Sequence, residues 1–346
     1  MRVAVYSIAL NEKQFLDRWF ESAAEADYIL LADTGSSDGT AEYAEELGIT
    51  TYKIKVSPWR FDDAKNAALN LLPKDIDVAI SLDIDEVLLP GWREMLEVAW
   101  KNDATTLNHK YRHNGGQWQW HSKIHARHGC KWVGPVHETL SWAIPEKAIW
   151  SDSIFLDEWQ DTQKSRRSYL NLLHKKILEG DSDWRTRYFL ANDYQTIGDM
   201  QSAIHWRYES YFACKDGGVV KSYIARNIAS NYFAIGDIDM ARKWFKAAID
   251  DGMERETLYE AAKFFSAIGE HAEALFSADY CISVEDRRDG FTYSEEAWGS
   301  GPYDIAALSC YYLGNKSEAI KYGKQALEFD PTNKRLLANM DWYEKE

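Results

Sequence analysis

Four fragments in the second half of the chain share one pattern of small residues, and this pattern limits the fold more than any other feature of the sequence. Each fragment has a glycine, an alanine seven positions before it and another alanine five positions after it. The aligned residues are Gly198, Gly236, Gly269 and Gly314, with Ala191 and Ala203, Ala229 and Ala241, Ala262 and Ala274, and Ala307 and Ala319 beside them. Closely packed helix pairs need small residues where the helices cross and a glycine in the turn between them. The pattern predicts about four helical repeats over residues 176–346.

The glycines of this repeat follow one another at intervals of 38, 33 and 45 residues, so the repeat is imperfect. The longest interval contains "EDRRDGFTYSEEAWGSGPYD", residues 285–304, which we expect to form a surface loop. The last fragment continues into "ALEFDP", residues 326–331. Each repeat is therefore predicted to be a pair of helices joined by a tight turn.

Residues 1 to about 100 follow a different pattern, in which short apolar strands alternate with helical segments. "RVAVYSIAL", "YILLAD" and "VAISLDID" are typical of buried strands, whereas "FDDAKNAALNLL" has apolar residues at helical spacing. Such alternation predicts a parallel sheet covered on both faces. Because ligands bind beyond the carboxyl ends of such strands, we expect residues 9–12, 33–38 and 83–86 to line one crevice. Residues 101–160 are predicted to form antiparallel strands and loops that complete this domain.

Charge and cysteine content restrict the partners and the compartment. The formal net charge of −15 argues against nucleic acid or an anionic membrane as the main partner, because both require basic surface. The four cysteines are far apart in the sequence, which fits a reducing cytoplasm better than a disulfide framework or a zinc site. No apolar run approaches the ~20 residues that span a bilayer. We therefore expect a cytoplasmic protein without a membrane span.

Five segments, "SIALNE", "ADTGSSDGT", "FDDAKNAAL", "SLDIDE" and "WVGPVHE", occur in the order and approximate spacing of the family 2 glycosyltransferases of the GT-A fold, which this half of the chain resembles. It is most similar to the subgroup that includes lipopolysaccharide-core and peptide S-glycosyltransferases. The second half resembles tetratricopeptide repeats, whose period is about 34 residues. The resemblance implies an α/β GT-A domain with a Rossmann-like mixed sheet over residues 1–175, and an all-α tetratricopeptide-repeat domain over residues 176–346.

The resemblance also implies the residues of a nucleotide-sugar site. Asp33 would accept a hydrogen bond from the base, Asp83 would face the ribose, and Asp85 would bind Mn²⁺ or Mg²⁺ directly, with His137 as a further metal ligand. A cation held by carboxylates neutralises the donor's diphosphate. The expected donor-binding residues are Ala9, Leu10, Asn11, Glu12, Asp33, Lys65, Asp83, Ile84, Lys164 and Arg167.

An inverting transfer needs a carboxylate that deprotonates the acceptor on the face opposite the leaving diphosphate. Glu138, in "WVGPVHE", is the candidate for this general base, and Glu86 competes with it. The sequence does not rank the two firmly.

Several of these residues also have structural interpretations. The acidic turn at residues 83–86 could be a solvated loop. Asp38 is better explained as a helix cap than as a ligand, and Glu12 could likewise cap the helix that follows it. Lys65 could lie on a helix surface, and the basic cluster at residues 164–167 could be a charged helix face.

We therefore expect an inverting, metal-dependent transferase that moves a hexose from a UDP-sugar to a glycan, peptide or small-molecule acceptor. The repeats would bind the acceptor, a protein partner or a second copy of the chain. The alternative is a non-catalytic scaffold, in which the repeats are the functional part and the first domain is a degenerate nucleotide-sugar-binding domain.

Overall fold

The computed structural model describes residues 1–101, 103–113, 116, 118–159, 169–285 and 294–345. It divides into two compact units, Met1–Lys176 and Ile177–Glu346. No helix within these ranges is both long and apolar enough to cross a membrane.

The first unit is built on a mixed sheet. Its strands are β1 (Val3–Ala9), β2 (Tyr28–Asp33), β3 (Thr50–Lys53), β4 (Val78–Ser81), β5 (Glu86–Leu88), β6 (Thr106–His113), β7 (Gln119–Ala126) and β10 (Ala148–Glu158), and a separate hairpin holds β8 (Cys130–Val133) and β9 (Thr139–Trp142). The order in the eight-stranded sheet is β3-β2-β1-β4-β7-β6-β10-β5. Strands β3, β2, β1 and β4 are parallel to one another, as the alternating sequence pattern predicts.

Helices cover both faces of the parallel strands. After a short 3-10 helix (Lys13–Phe15), they are α1 (Leu16–Ala23), α2 (Thr40–Glu46), α3 (Phe61–Leu71) and α4 (Trp92–Ala99). One core cluster packs α1, α2 and α4 against alternate residues of the strands, including Val3 and Val5. A second cluster packs α3 and the β8–β9 hairpin against the intervening residues, including Ala4 and Tyr6. Near-continuous burial on both faces explains why these strands are apolar throughout.

The later strands differ in one respect from the prediction for residues 101–160. Strand β7 is antiparallel to β4 and β6, and β8 and β9 form an antiparallel pair, as expected. However, β10 runs parallel to β6. The reason is that β7 and the β8–β9 hairpin lie between them in the chain, so β10 returns to the sheet in the direction of β6.

The second unit is helical. Helix α5 (Tyr169–Leu178) spans the boundary, and it is followed by α6 (Trp184–Thr196), α7 (Met200–Ala213), α8 (Gly218–Ala234), α9 (Ile238–Asp251), α10 (Arg255–Ala267), α11 (His271–Ser283), α12 (Glu295–Trp298), α13 (Gly301–Tyr312), α14 (Lys316–Phe329) and α15 (Lys334–Glu344). The four predicted repeats are the pairs α6–α7, α8–α9, α10–α11 and α13–α14. The eight repeated alanines are all buried. The turn glycines all have a positive φ, between 79° and 85°, which L side chains rarely adopt.

The predicted surface loop at residues 285–304 is partly wrong. Residues 294–304 are largely helical, and Ala297 in α12 is completely buried. Arg255 explains this burial, because its Nε donates to the Ala297 carbonyl at 2.7 Å and its guanidinium lies 4.4 Å from the Trp298 ring centre. Residues 286–293 of that segment lie outside the described ranges.

Candidate active site

The carboxyl ends of β1 and β2 form one edge of the candidate site. Ala9 pairs with Asp33 at the last register position of the two strands. Beyond it, the Asn11 amide donates to Ser36 Oγ at 2.9 Å, and the Ser37 amide donates to Asn11 Oδ1 at 2.8 Å. Asn11 has a φ of 57°, so the backbone turns sharply there. The first two segments predicted to line the crevice are therefore bonded to each other.

Asp33 is fixed within its own loop. Its carboxylate is buried and accepts from the Gly35 amide at 3.1 Å and from the Ser36 amide at 3.2 Å. The N-cap position of α2 is Gly39 rather than Asp38 as predicted, but Asp38, one residue earlier, still accepts from the Thr40 amide in the first turn. The Glu12 amide donates to Thr40 Oγ1, but the Glu12 side chain makes no capping bond to the 3-10 helix that follows.

The acidic segment that follows β4 is a tight turn rather than the end of a longer strand. Strand β4 ends at Ser81, and the Glu86 amide donates to the Asp83 carbonyl at 2.9 Å to close the turn. The Ile84 side chain is buried in the core, so only its backbone can face a ligand. The Asp85 carbonyl accepts from the Trp159 amide at 2.8 Å. The turn is thus anchored on both sides and presents Asp83 and Asp85 at the strand end.

Two buried lysines lie among the carboxylates of this turn. Lys65 Nζ is 2.6 Å from Glu138 Oε1 and 3.4 Å from Asp83 Oδ1. Lys123 Nζ is 2.7 Å from Asp83 Oδ2 and also contacts Glu86 Oε1. Acidic and basic side chains therefore alternate along the chain of contacts Glu138, Lys65, Asp83, Lys123, Glu86. We call these five residues the charge ladder.

The ladder sets the protonation of its members. Partial burial raises the pKa of Asp83, but the charges of Lys123 and Lys65 outweigh it and hold that pKa well below its usual range. Burial disfavours both ammonium groups, yet the carboxylates around them raise the pKa of each lysine. For Glu86, burial is the larger effect, and it raises the pKa of that carboxyl although Lys123 opposes it. Asp83 and both lysines are charged at neutral pH.

Asp85 lies in a different electrostatic environment from Asp83. Burial, the Asp83 carboxylate and the Glu158 carboxylate raise the pKa of Asp85 to about 6, and Lys123 offsets this only in part. Glu158, at the end of β10, is itself held by the Tyr111 hydroxyl and by His113 Nδ1. Asp85 is therefore the carboxylate for which a bound cation would relieve the most repulsion.

Helix α3 and the loop between β8 and β9 are joined by a row of contacts. The Phe61 amide donates to the Pro135 carbonyl at 3.1 Å, and Asp62 Oδ2 accepts from the Gly134 amide at 2.8 Å. Asn66 bonds both backbone groups of Trp132, at 2.8 and 2.9 Å. The motifs "FDDAKNAAL" and "WVGPVHE" are therefore two sides of one interface, which brings Glu138 to Lys65.

His137 lies in the same loop, next to Glu138. Its side chain is exposed, its φ is 47°, and its carbonyl accepts from Lys176 Nζ at 3.1 Å. A left-handed backbone is uncommon for any residue other than glycine, and the His137 ring lies edge-on to Tyr169 with ring centres 6.2 Å apart. In the described part of the chain, no group of three or more His, Cys, Asp or Glu side chains is arranged to hold a metal ion. A cation at Asp85 would therefore need further ligands from outside the protein, such as water or phosphate oxygens, which Mg²⁺ commonly takes.

The remaining residues that the sequence predicts for donor binding differ in exposure, and two of them lie outside the described part of the chain. Leu10 is about half exposed at the end of β1, and Ala9 is buried. Lys164 and Arg167 lie outside the described residues. The sequence motifs do not include Lys123, although it lies on β7 two residues after His121 and two residues before His125. Such spacing puts three ionisable residues on one side of a strand.

Comparison with known proteins gives a family for the first unit. Residues 5–158 match Glycosyl transferase family 2. The match supports glycosyltransferase activity in general. The comparison with curated proteins finds no match.

Several solved structures are similar to about half of the chain. MamA is 21% identical, with 50% of this chain and 96% of that chain covered and a TM-score of 0.39. YrrB, described as a TPR protein with an unusual peptide-binding site, is 12% identical, with 50% and 82% covered and a TM-score of 0.40. A tetratricopeptide repeat protein from Parabacteroides merdae is 15% identical, with 48% and 60% covered and a TM-score of 0.40.

The family match covers the strands that carry the charge ladder and the turn with Asp83 and Asp85. The repeat assignment of the second unit depends on its own helix pairs, its buried alanines and its turn glycines. The chain therefore consists of a unit that matches Glycosyl transferase family 2 over residues 5–158, followed by a unit of tetratricopeptide-type repeats.

Proposed function

We propose that this protein is an inverting, divalent-metal-dependent glycosyltransferase that transfers a hexose from a UDP-sugar. The observation that carries the proposal is the edge of the parallel sheet, where Asp33 ends β2 and Asp83 and Asp85 follow β4. Carboxylates at this edge of an α/β sheet are placed to bind a nucleotide. The family match supports the reaction class.

Donor binding would use Asp33 for the base, Asp83 for the ribose and Asp85 for the cation, with His137 as the second protein ligand of that cation. Mn²⁺ or Mg²⁺ would neutralise the negative charge on the diphosphate. Lys65 adds a buried positive charge beside Asp83 and Glu138. Ala9, Leu10 and Asn11 would line the base through their backbone. Lys164 and Arg167 are the proposed basic residues at the diphosphate.

Glu138 is our proposed general base. In the transfer, the acceptor's O–H or S–H group gives its proton to Glu138, and its lone pair forms a bond to the anomeric carbon. The bond from that carbon to the diphosphate oxygen breaks, and its electron pair leaves with UDP. Because attack and departure occur on opposite faces, the anomeric configuration inverts.

Glu86 suits this role less well. It is 2% exposed, and both of its carboxylate oxygens are engaged, one by Lys123 and the other by the Asp83 amide at 2.9 Å. A base must reach the acceptor's proton directly or through one water. We therefore assign Glu86 to support of the turn.

The repeats are proposed to bind the acceptor, a protein partner or a second copy of the chain. Stacked helix pairs of this type present extended binding surfaces. We place the protein in the cytoplasm, because all four of its cysteines are free thiols.

The direct test is release of UDP from a panel of UDP-sugars in the presence of Mn²⁺. Slow hydrolysis of the correct donor is expected even without acceptor, and chelation of the metal should stop it. A complete lack of release from every common UDP-sugar would favour the non-catalytic scaffold.

Glu138→Gln tests the base. This variant should bind UDP with nearly the affinity of the wild-type protein but lose transfer by about 100-fold or more, because general-base catalysis contributes roughly 10²–10⁴-fold. Calorimetry measures the binding, and product formation measures the transfer. Near-normal turnover in this variant would assign the base to another carboxylate.

A further inference from the structure

Lys123 lies beneath the acidic turn and belongs to none of the five sequence motifs. It comes from β7, the strand that pairs with β4 on the side opposite β1. Its side chain is 9% exposed, so its charge is held inside the protein. Burial of an ammonium group is costly unless charged or polar partners surround it. In this site the partners are two carboxylates of the same turn, Asp83 and Glu86.

The contacts of Lys123 tie the turn together. Glu86 Oε2 accepts from the Asp83 amide at 2.9 Å, while the Glu86 amide donates to the Asp83 carbonyl at 2.9 Å. Lys123 binds the other oxygen of Glu86 and also Oδ2 of Asp83. One ammonium group therefore connects the side chain that supports the turn with the side chain proposed to face the donor.

The two lysines of the ladder hold Asp83 unequally. Lys123 Nζ is 2.7 Å from Oδ2, which is a hydrogen-bond distance, whereas Lys65 Nζ is 3.4 Å from Oδ1. Lys65 is held more closely by Glu138, at 2.6 Å. The hydrogen bond from Lys123 therefore fixes the Asp83 side chain more than the contact with Lys65 does.

We propose that Lys123 is a positioning residue for the nucleotide donor, which fixes the Asp83 carboxylate and the turn that carries Asp85. This inference rests on the proposed function, because it assigns Lys123 a role in binding the uridine diphosphate part of that donor. Without Lys123, Asp83 and Glu86 would lose the ammonium group that connects their side chains across the turn. Asp83 would then rotate towards Lys65, and the turn would lose the geometry that the donor needs.

Lys123→Met tests the proposal through UDP binding, measured by calorimetry with Mn²⁺ on the full chain. We expect UDP affinity to fall roughly 10–100-fold, the usual range when a residue that orients a ligand-binding group is removed. Lys131→Met is the matched control, because Lys131 is an exposed lysine on β8, and it should bind UDP as the wild type does. If Lys123→Met binds UDP with wild-type affinity, the proposal is wrong.

A second variant separates positioning from stability, since loss of a buried cation also leaves Glu86 unpaired. Lys123→Met combined with Glu86→Gln removes both ionisable members of the buried Lys123–Glu86 contact. We expect this double variant to regain much of the melting temperature lost in Lys123→Met while its UDP affinity remains low. Recovery of both properties would show that Lys123 only neutralises Glu86, and would overturn the proposal.

UDP binding by the wild-type protein separates a failure of the proposed function from a failure of the proposed role of Lys123. If the wild type binds no uridine nucleotide with any divalent metal, the proposed function fails, and the role of Lys123 fails with it. If the wild type binds UDP and Lys123→Met binds it equally well, only the role of Lys123 fails.

Discussion

Asp83 and Asp85 are two residues apart in one turn, yet their surroundings differ. Lysines lie next to both oxygens of Asp83, so its negative charge is offset within the protein. Asp85 has two carboxylates near it, and its pKa is raised to about 6. In the sequence, Asp83 and Asp85 are close enough to repel each other. In the structure, the lysines offset the charge of Asp83, whereas Asp85 is left suited to bind a cation.

The position of the acidic turn after β4 was predictable, but the lysines that contact it were not. "SLDIDE" and Glu138 are recognisable from local motifs. Lys123 is distant in sequence, and it reaches the turn only because β7 pairs with β4. Strand pairing over such a separation is set by the whole sheet rather than by local sequence, so a motif cannot reveal it.

His109 gives a prediction for stability against pH. It is completely buried, its Nδ1 donates to the Lys110 carbonyl, and burial lowers its pKa to about 4. The unfolded chain binds a proton at this residue below about pH 6.5, whereas the folded chain does not until about pH 4. Stability is therefore lost as the pH falls through this interval.

His109→Asn keeps a donor for the Lys110 carbonyl and removes the titration. Between pH 7 and pH 4.5, the first unit should lose about 2 kcal/mol less unfolding free energy in this variant than in the wild type. Denaturant titrations at the two pH values measure the difference. His128→Asn, at an exposed histidine, is the control. An equal acid-induced loss in His109→Asn and the wild type would contradict the account.

Helix α3 and the β8–β9 loop are bonded to each other and together hold Glu138 in place. The sequence showed both segments as motifs of a family, and the helix was predicted from its periodicity. The contacts between them were not predictable, because "FDDAKNAAL" and "WVGPVHE" are separated by 62 residues and neither contains a signal for the other. The parallel pairing of β10 with β6 was missed for the same reason.

Asn66→Ala tests this support. The substitution removes both bonds to the Trp132 backbone and leaves those groups partly buried without a partner, which should cost about 1–3 kcal/mol of unfolding free energy. Transfer should fall as well, since Glu138 follows the same loop. Asn70→Ala is the control, because Asn70 is exposed on the same helix and should change stability by no more than about 0.5 kcal/mol. Equal stability of the two variants would show that the bonds of Asn66 do not support the loop.

The two units of the molecule have separate hydrophobic cores. More of the structure of the second unit than of the first could be predicted from the sequence. The repeated alanines and glycines define the helix pairs of the second unit almost completely, because each repeat is a local structure. The segment at residues 285–304 was the exception, since its burial depends on Arg255, which lies outside it. The structure of the first unit depends more on pairing between strands that are distant in sequence. The contacts around its acidic turn were therefore predicted only in part.

Ala229→Leu tests the repeat packing. Ala229 is completely buried in α8, and a larger side chain there should cost about 1–3 kcal/mol through overpacking. Ala234→Leu makes the same change at an exposed position of the same helix and should have little effect. Thermal unfolding of the second unit measures both. If Ala229→Leu is as stable as Ala234→Leu, the alanine does not mark a tight helix crossing.

We propose that Asp85 holds the cation of a nucleotide-sugar site, and the sharpest test of this role is calorimetric titration of UDP into the wild type and Asp85→Ala. With Mn²⁺ present, the wild type should bind UDP, and chelation of the metal should greatly weaken that binding. Asp85→Ala should lose the metal-dependent part of the binding while the helical unit keeps its unfolding transition. Equal, metal-dependent UDP binding by the wild type and Asp85→Ala would contradict the assignment.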